Sequence, residues 1–128
     1  MSGVEFAAIS KSRLHVAKQE NAMPKFLVTT TYNAEGIRGL QKDKASARRQ
    51  AVEKLVQSVD GKLEAFYYAM GDCDVVTILD LPDAATAAAI SFTGTATGMY
   101  RVTTTPLLTV EEVDRALAMK LTIRPPGQ

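Results

Sequence analysis

The chain contains one cysteine, one histidine, no tryptophan and no long apolar run, and each scarcity removes a class of protein. A lone Cys73 forbids an internal disulfide and a zinc site built on thiolates, which suits a reducing compartment. The only histidine, His15, lies in a polar N-terminal stretch. Ser-His-Asp or Cys-His catalysis and a histidine-based metal centre are therefore not expected, and no metal ligands are assigned. No segment approaches the roughly 20 apolar residues of a membrane span, and the N-terminus lacks the continuous apolar segment of a secretory signal. The expectation is a cytoplasmic protein with no membrane partner. Charge of one sign is also missing: 15 basic and 14 acidic side chains leave a formal net charge of +1, too little to steer the whole molecule toward nucleic acid. Neither GxxxxGK[ST] nor GxGxxG occurs, so no phosphate loop is present and the cofactor, if there is one, stays unknown.

What is present describes an ordinary globular domain. The 128 residues, 46% of them hydrophobic and 23% charged, suffice for one core without staples. Residues 1–22 mix small, charged and scattered apolar side chains and read as an N-terminal arm, either loosely helical or added by a start site upstream of Met23. They are expected to be dispensable for folding. Residues 23–119 carry the domain, and 120–128 form a C-terminal tail.

Within the domain, KFLVTTTY (25–32) is dense in β-branched and aromatic residues and predicts a strand. Asn33 and Gly36 break it, and a polar connection leads to ARRQAVEKLVQSV, where Ala51, Val52, Leu55, Val56 and Val59 recur at helical spacing. Asp60-Gly61 ends that helix. Residues 62–70 and VVTILDL predict two strands joined by the turn GDCD, a hairpin. Asp83 caps a short alanine-rich helix, AATAAAISF, whose small side chains let it approach a sheet closely. MYRVTTTPLL predicts a fourth strand, with Pro106 placing it at a sheet edge. TVEEVDRALAMKL opens with the capping-box pair Thr109 and Glu112. The order is βαββαβ, which predicts an α+β ferredoxin-like fold: a four-stranded antiparallel sheet with both helices on one face.

Candidate chemistry is sparse. Asp72 and Asp74 flank Cys73 and disfavour its thiolate, so the cysteine reads as a turn residue and the two acids as turn formers. Arg38, Lys42, Lys44, Arg48 and Arg49 make the most basic stretch, read as a solvated helix start. An RNA-binding sheet would display aromatics on its central strands, and GDCDVVTI has none, so nucleic acid is not an expected partner. The uncovered sheet face supplies the main expectation. Alternation along the first and fourth strands gathers Thr29, Thr31, Arg101, Thr103 and Thr105 on the face away from the helices. There they form either a threonine ladder, with Arg101 pairing to an acid across a subunit interface, or a ligand patch. In the second reading Arg101 anchors an anionic or carbonyl ligand, and Tyr67 or Tyr68 completes the wall.

MPKFLV, NAEGIRGL, GKLEAFYYAMGDCDVV, LPDAATAAA and the strand carrying Arg101 before LLTVEEV together resemble the GYD domain family over about three quarters of the chain. The name-giving Gly-x-Tyr-Asp falls on Gly71, Asp72, Cys73 and Asp74, with cysteine in place of tyrosine. A chemical role of that tyrosine would be missing here, whereas a packing role would be filled by a smaller, softer group. The family is similar to the dimeric α/β barrels. That likeness bears on fold, and it is the uncovered sheet face that motivates the functional expectation: a homo-oligomer that binds or senses a small molecule, with two sheets facing each other and enclosing the pocket. Fold analogy alone offers the alternative of a cofactor-independent or haem-assisted small enzyme.

Overall fold

The computed structural model describes residues 23–128; the N-terminal arm and His15 lie outside them. In chain order the elements are β1 (Lys25–Tyr32), α1 (Ala34–Asp43), α2 (Ala45–Ser58), β2 (Lys62–Tyr68), β3 (Val75–Asp80), α3 (Ala84–Ala96), β4 (Tyr100–Leu107) and α4 (Val110–Ala118). The strands form one antiparallel sheet in the order β2-β3-β1-β4, a ferredoxin-like α+β fold. Pro106 sits on edge strand β4, where its missing N–H costs the sheet nothing on the solvent side. Among the described residues no helix is long and apolar enough to cross a membrane.

The strands form within one or two residues of the sequence expectation, and the helices depart from it further. Residues 34–43, read as a polar connection, are helical, because Asn33 caps them with its side chain and Gly36 seats the first turn against the α3–β4 link. The break comes at Lys44 instead, whose φ of 73° lies where glycine is far more at ease. Its N–H closes α1 on the Leu40 carbonyl, and its own carbonyl accepts the first bond of α2 from Arg48. The alanine-rich helix also runs on through Gly94 to Ala96 rather than ending near Phe92. Caps at Asp83 and Thr109 form as the sequence predicts, each accepting from a backbone N–H three residues on.

Alternation along β1 decides what the sheet buries. Phe26 and Val28 point to the helix side, where they join Val56, Leu79, Leu81 and Ala87 in the core. Leu27, Thr29 and Thr31 point away from it. Thr77 is the buried polar member among the described residues, and its hydroxyl donates to the Val28 carbonyl at 3.1 Å. On the outer face Lys25 lies between Glu64 and Asp80, 2.7 Å from each. No helix among the described residues packs over that face, and α4 has no buried residue.

The close seating of α1 gives a paired test. A Cβ on Gly36 would fall 2.3 Å from the Met99 carbonyl oxygen, whereas one on Gly39, a turn away, would meet nothing within 4 Å. Gly36→Ala is expected to destabilise by about 1–3 kcal/mol through overpacking. Gly39→Ala should be neutral or stabilising by up to about 1 kcal/mol. Urea denaturation midpoints check both, and equal effects would contradict the packing described.

Candidate functional site: a cleft between two helices

Helix α2 packs over β2 and α3 over β4, at opposite edges of the sheet. The central strands β3 and β1 are left between them as the floor of a cleft of about 380 Å³. Val28, Val75, Thr77 and Leu79 lie along that floor, Ala51, Val52 and Leu55 line one wall, and Ala89, Thr93 and Thr97 line the other. The α3 wall explains why the space persists. Residues four apart share a helix face, and alanine and threonine at 89, 93 and 97 are too short to reach α2.

The cleft is apolar along most of its length and polar toward one end. Tyr32 and Tyr100, cross-strand partners at the ends of β1 and β4, pack edge to face with ring centroids 5.7 Å apart. Gly94 makes room for the second ring, since a Cβ there would lie 2.9 Å from the Tyr100 Cε2. Tyr68 donates its hydroxyl to the Ala45 carbonyl at 3.2 Å, tying the end of β2 to the first residue of α2. Arg48, one turn further along α2, is half-buried and lines the cleft. The Tyr68 phenol is held above its usual range, first by burial and then by the neighbouring Tyr32, while Arg48 pulls it back. Tyr32, Arg48 and Tyr68 thus share one neighbourhood.

The sequence-predicted patch is assembled on the other side of the sheet. Thr29 pairs with Thr103 and Thr31 with Arg101, all on the outer face, and Thr105 continues the row opposite Leu27. Tyr67 joins them through Val76, which pairs with both Tyr67 and Thr29. Tyr67 is 69% exposed, and Arg101 is exposed with no ion pair among the described residues. Tyr68 does not belong to this group. As the next residue along β2 it points to the helix side, stacked edge-on against Phe66.

The Gly71-Asp72-Cys73-Asp74 segment is a structural joint. Asp74 accepts the Tyr32 N–H on its Oδ2 at 2.8 Å, donates its own N–H to the Thr30 carbonyl at 2.8 Å, and its carbonyl accepts from Ala69. The Thr31 hydroxyl reaches the Asp72 carbonyl. Cys73 is half-buried, and none of the four residues lines the cleft. Among the described residues no three histidine, cysteine, aspartate or glutamate side chains come together as a metal site.

Sequence reasoning missed the cleft. Its one legible signal was the run Ala89, Thr93, Thr97, whose short side chains permit either close packing or an open space. Arg48 was noted only within its basic stretch. Its neighbour Arg49 does behave as a solvated residue, pairing with Glu53 across one helical turn.

The family model for the GYD domain matches residues 26–117. No curated protein and no solved structure matches the chain.

The Tyr68 environment carries a pH dependence with a definite sign. Its folded-state pKa is raised above the ordinary 10.0, so the stabilisation is fully present below pH 10 and lost as pH rises through the folded value. Lys25, raised above 10.5 by hydrogen bonds to Asp80 and Glu64, acts in the same direction at slightly higher pH. Tyr68→Phe is expected to remove a phenolate step lying above the ordinary tyrosine range and to flatten part of the alkaline loss of stability. Ultraviolet titration of folded protein checks the first, and an unaltered titration curve would contradict it.

Proposed function

The chain belongs to the GYD domain family, and on that footing we propose that it is a small-molecule binding or sensing module whose ligand lies in the cleft between α2 and α3. The observation that carries this reading is the unfilled space itself. Val56, Leu79 and Leu81 beside it are fully buried, yet the seam over the central strands stays open for about 380 Å³. Interiors normally close such voids because each lost contact destabilises, and small-molecule sites typically occupy roughly 300–1,000 Å³. An apolar floor with polar groups gathered at one end is the composition of such sites.

The outer sheet face fits a different task, assembly into a homo-oligomer. Leu27, Val76 and Ile78 are only partly covered there, and extended apolar exposure is uncommon in monomers. Two copies packed face to face about a two-fold axis would cover both sheets at once. In such a dimer the threonine rows and Arg101 lie at the interface, and the ladder reading of that patch is favoured over the ligand reading. The pairing Thr29–Thr103 supports this, because hydroxyls directly opposite one another stabilise the strand pair without any ligand.

Two measurements test the two halves separately. Folded protein is expected to enhance the fluorescence of anilinonaphthalene sulfonate, and Thr93→Phe, which fills the cleft from the α3 wall, should abolish the enhancement without lowering the melting temperature. Undiminished fluorescence in that variant would remove the cleft from consideration. Light scattering at micromolar concentration should report about twice the 13.8 kDa chain mass, and Ile78→Lys should halve it. A mass of 13.8 kDa for the unaltered protein would refute the assembly.

A further inference from the structure

Among the described residues that line the cleft, Arg48 is the only charged one. It is half-buried and forms no ion pair among the described residues. Its hydrocarbon stem can lie along the apolar wall while its guanidinium, unpaired, stays available to an anion entering the cleft. Its position sharpens the point. Arg48 lies in the first turn of α2, a helix of 14 residues with no side-chain cap and no acidic residue in that turn. The positive end of the helix dipole therefore reinforces the guanidinium instead of being neutralised by it. Tyr32 also lines this end, since the Tyr68 phenol feels both it and Arg48, and Tyr100 packs edge-on against Tyr32 beneath Gly94 of α3. Tyr68 is engaged, since its hydroxyl is held by the Ala45 carbonyl.

The rest of the cleft describes the body of the ligand. Val28, Val52, Leu55, Ile90 and Val102 offer only hydrocarbon, and the volume of about 380 Å³ equals that of roughly a dozen waters at ~30 Å³ each. A single cation matches a single negative charge, and a planar guanidinium matches a carboxylate in two-point contact.

Resting on the cleft being the binding site, we propose that it takes a small amphipathic monocarboxylate, its hydrocarbon body over β1 and β3 and its carboxylate on Arg48 at the Tyr32 end of the cleft. Arg48 then selects the head group, and the short α3 face sets the width available to the body.

Displacement of N-phenylnaphthylamine, an uncharged fluorescent probe, separates this proposal from the reading beneath it. Octanoate, octanol and octyl phosphate are titrated against the probe on the full chain at neutral pH. The expected result is displacement by octanoate roughly tenfold tighter than by octanol, as one charge-assisted hydrogen-bond pair would give. Arg48→Gln should remove that preference while binding octanol and the probe as before, which also shows that the variant is folded. Failure of the probe to bind the unaltered protein would overturn the cleft as a site. Probe binding with octanol and octanoate equal, or with octanoate preference surviving Arg48→Gln, would leave the cleft standing and overturn the head-group assignment. Octyl phosphate binding tighter than octanoate would replace the carboxylate by a phosphate and overturn the stated ligand class.

Discussion

The end of β1 is the joint on which the rest of the arrangement depends. Four hydrogen bonds converge on two consecutive residues: the Tyr32 N–H donates to Asp74, the Asn33 N–H to the Met99 carbonyl, the Asn33 Nδ2 to the Gly98 carbonyl, and the Asn33 Oδ1 accepts from the Gly36 N–H. In one place they fasten the β2–β3 connection, the start of α1 and the α3–β4 turn to the central strand. Tyr32 and Tyr100 acquire their positions from this joint, and with them the polar end of the cleft. The aspartate that closes the family motif thus contributes by holding backbone, and its own side chain does not line the cleft.

Much of the fold was legible because local signals and tertiary demands agreed. KFLVTTTY, the Asp83 cap, the Thr109–Glu112 capping box and Pro106 each indicated the element that formed, and β1–β4 adjacency followed from the element order. Helix α1 was not legible. Two glycines in ten residues weaken its intrinsic propensity, and what stabilises it is the Asn33 cap, which a local window contains but which here read as a strand break, and the contact of Gly36 with the α3–β4 link, which no local window contains. Tyr67 and Tyr68 could not be told apart until the irregular pairing between Leu63 and Ala65 fixed which of them faces the helices.

The cleft was hidden for a different reason. An alanine and threonine stripe has the same sequence pattern whether a neighbouring helix presses against it or stands off, and only the placement of α2 over β2 and α3 over β4 decides between them. Arg48 was concealed by its company. Selecting the one inward-facing member of five basic residues requires the helical phase of α2, which is set by the break at Lys44. Once the phase is fixed, Arg48 turns toward the sheet and Arg49 toward water.

The two faces of β1 have separate assignments, with Phe26, Val28 and Thr30 toward the helices and Leu27, Thr29 and Thr31 toward the outside. Substitutions at neighbouring positions therefore meet unrelated demands, and the two surfaces can diverge independently. Length changes have no such freedom. Removing or adding one residue within β1 inverts every side chain beyond that point, placing threonines in the core and core residues on the outer face while pulling Asn33 off its four-way joint. The connection from Ala69 to Asp74 is held to the same register, because Asp74 is bonded to Ala69, Thr30 and Tyr32, so a change of length there would undo the joint from the other side.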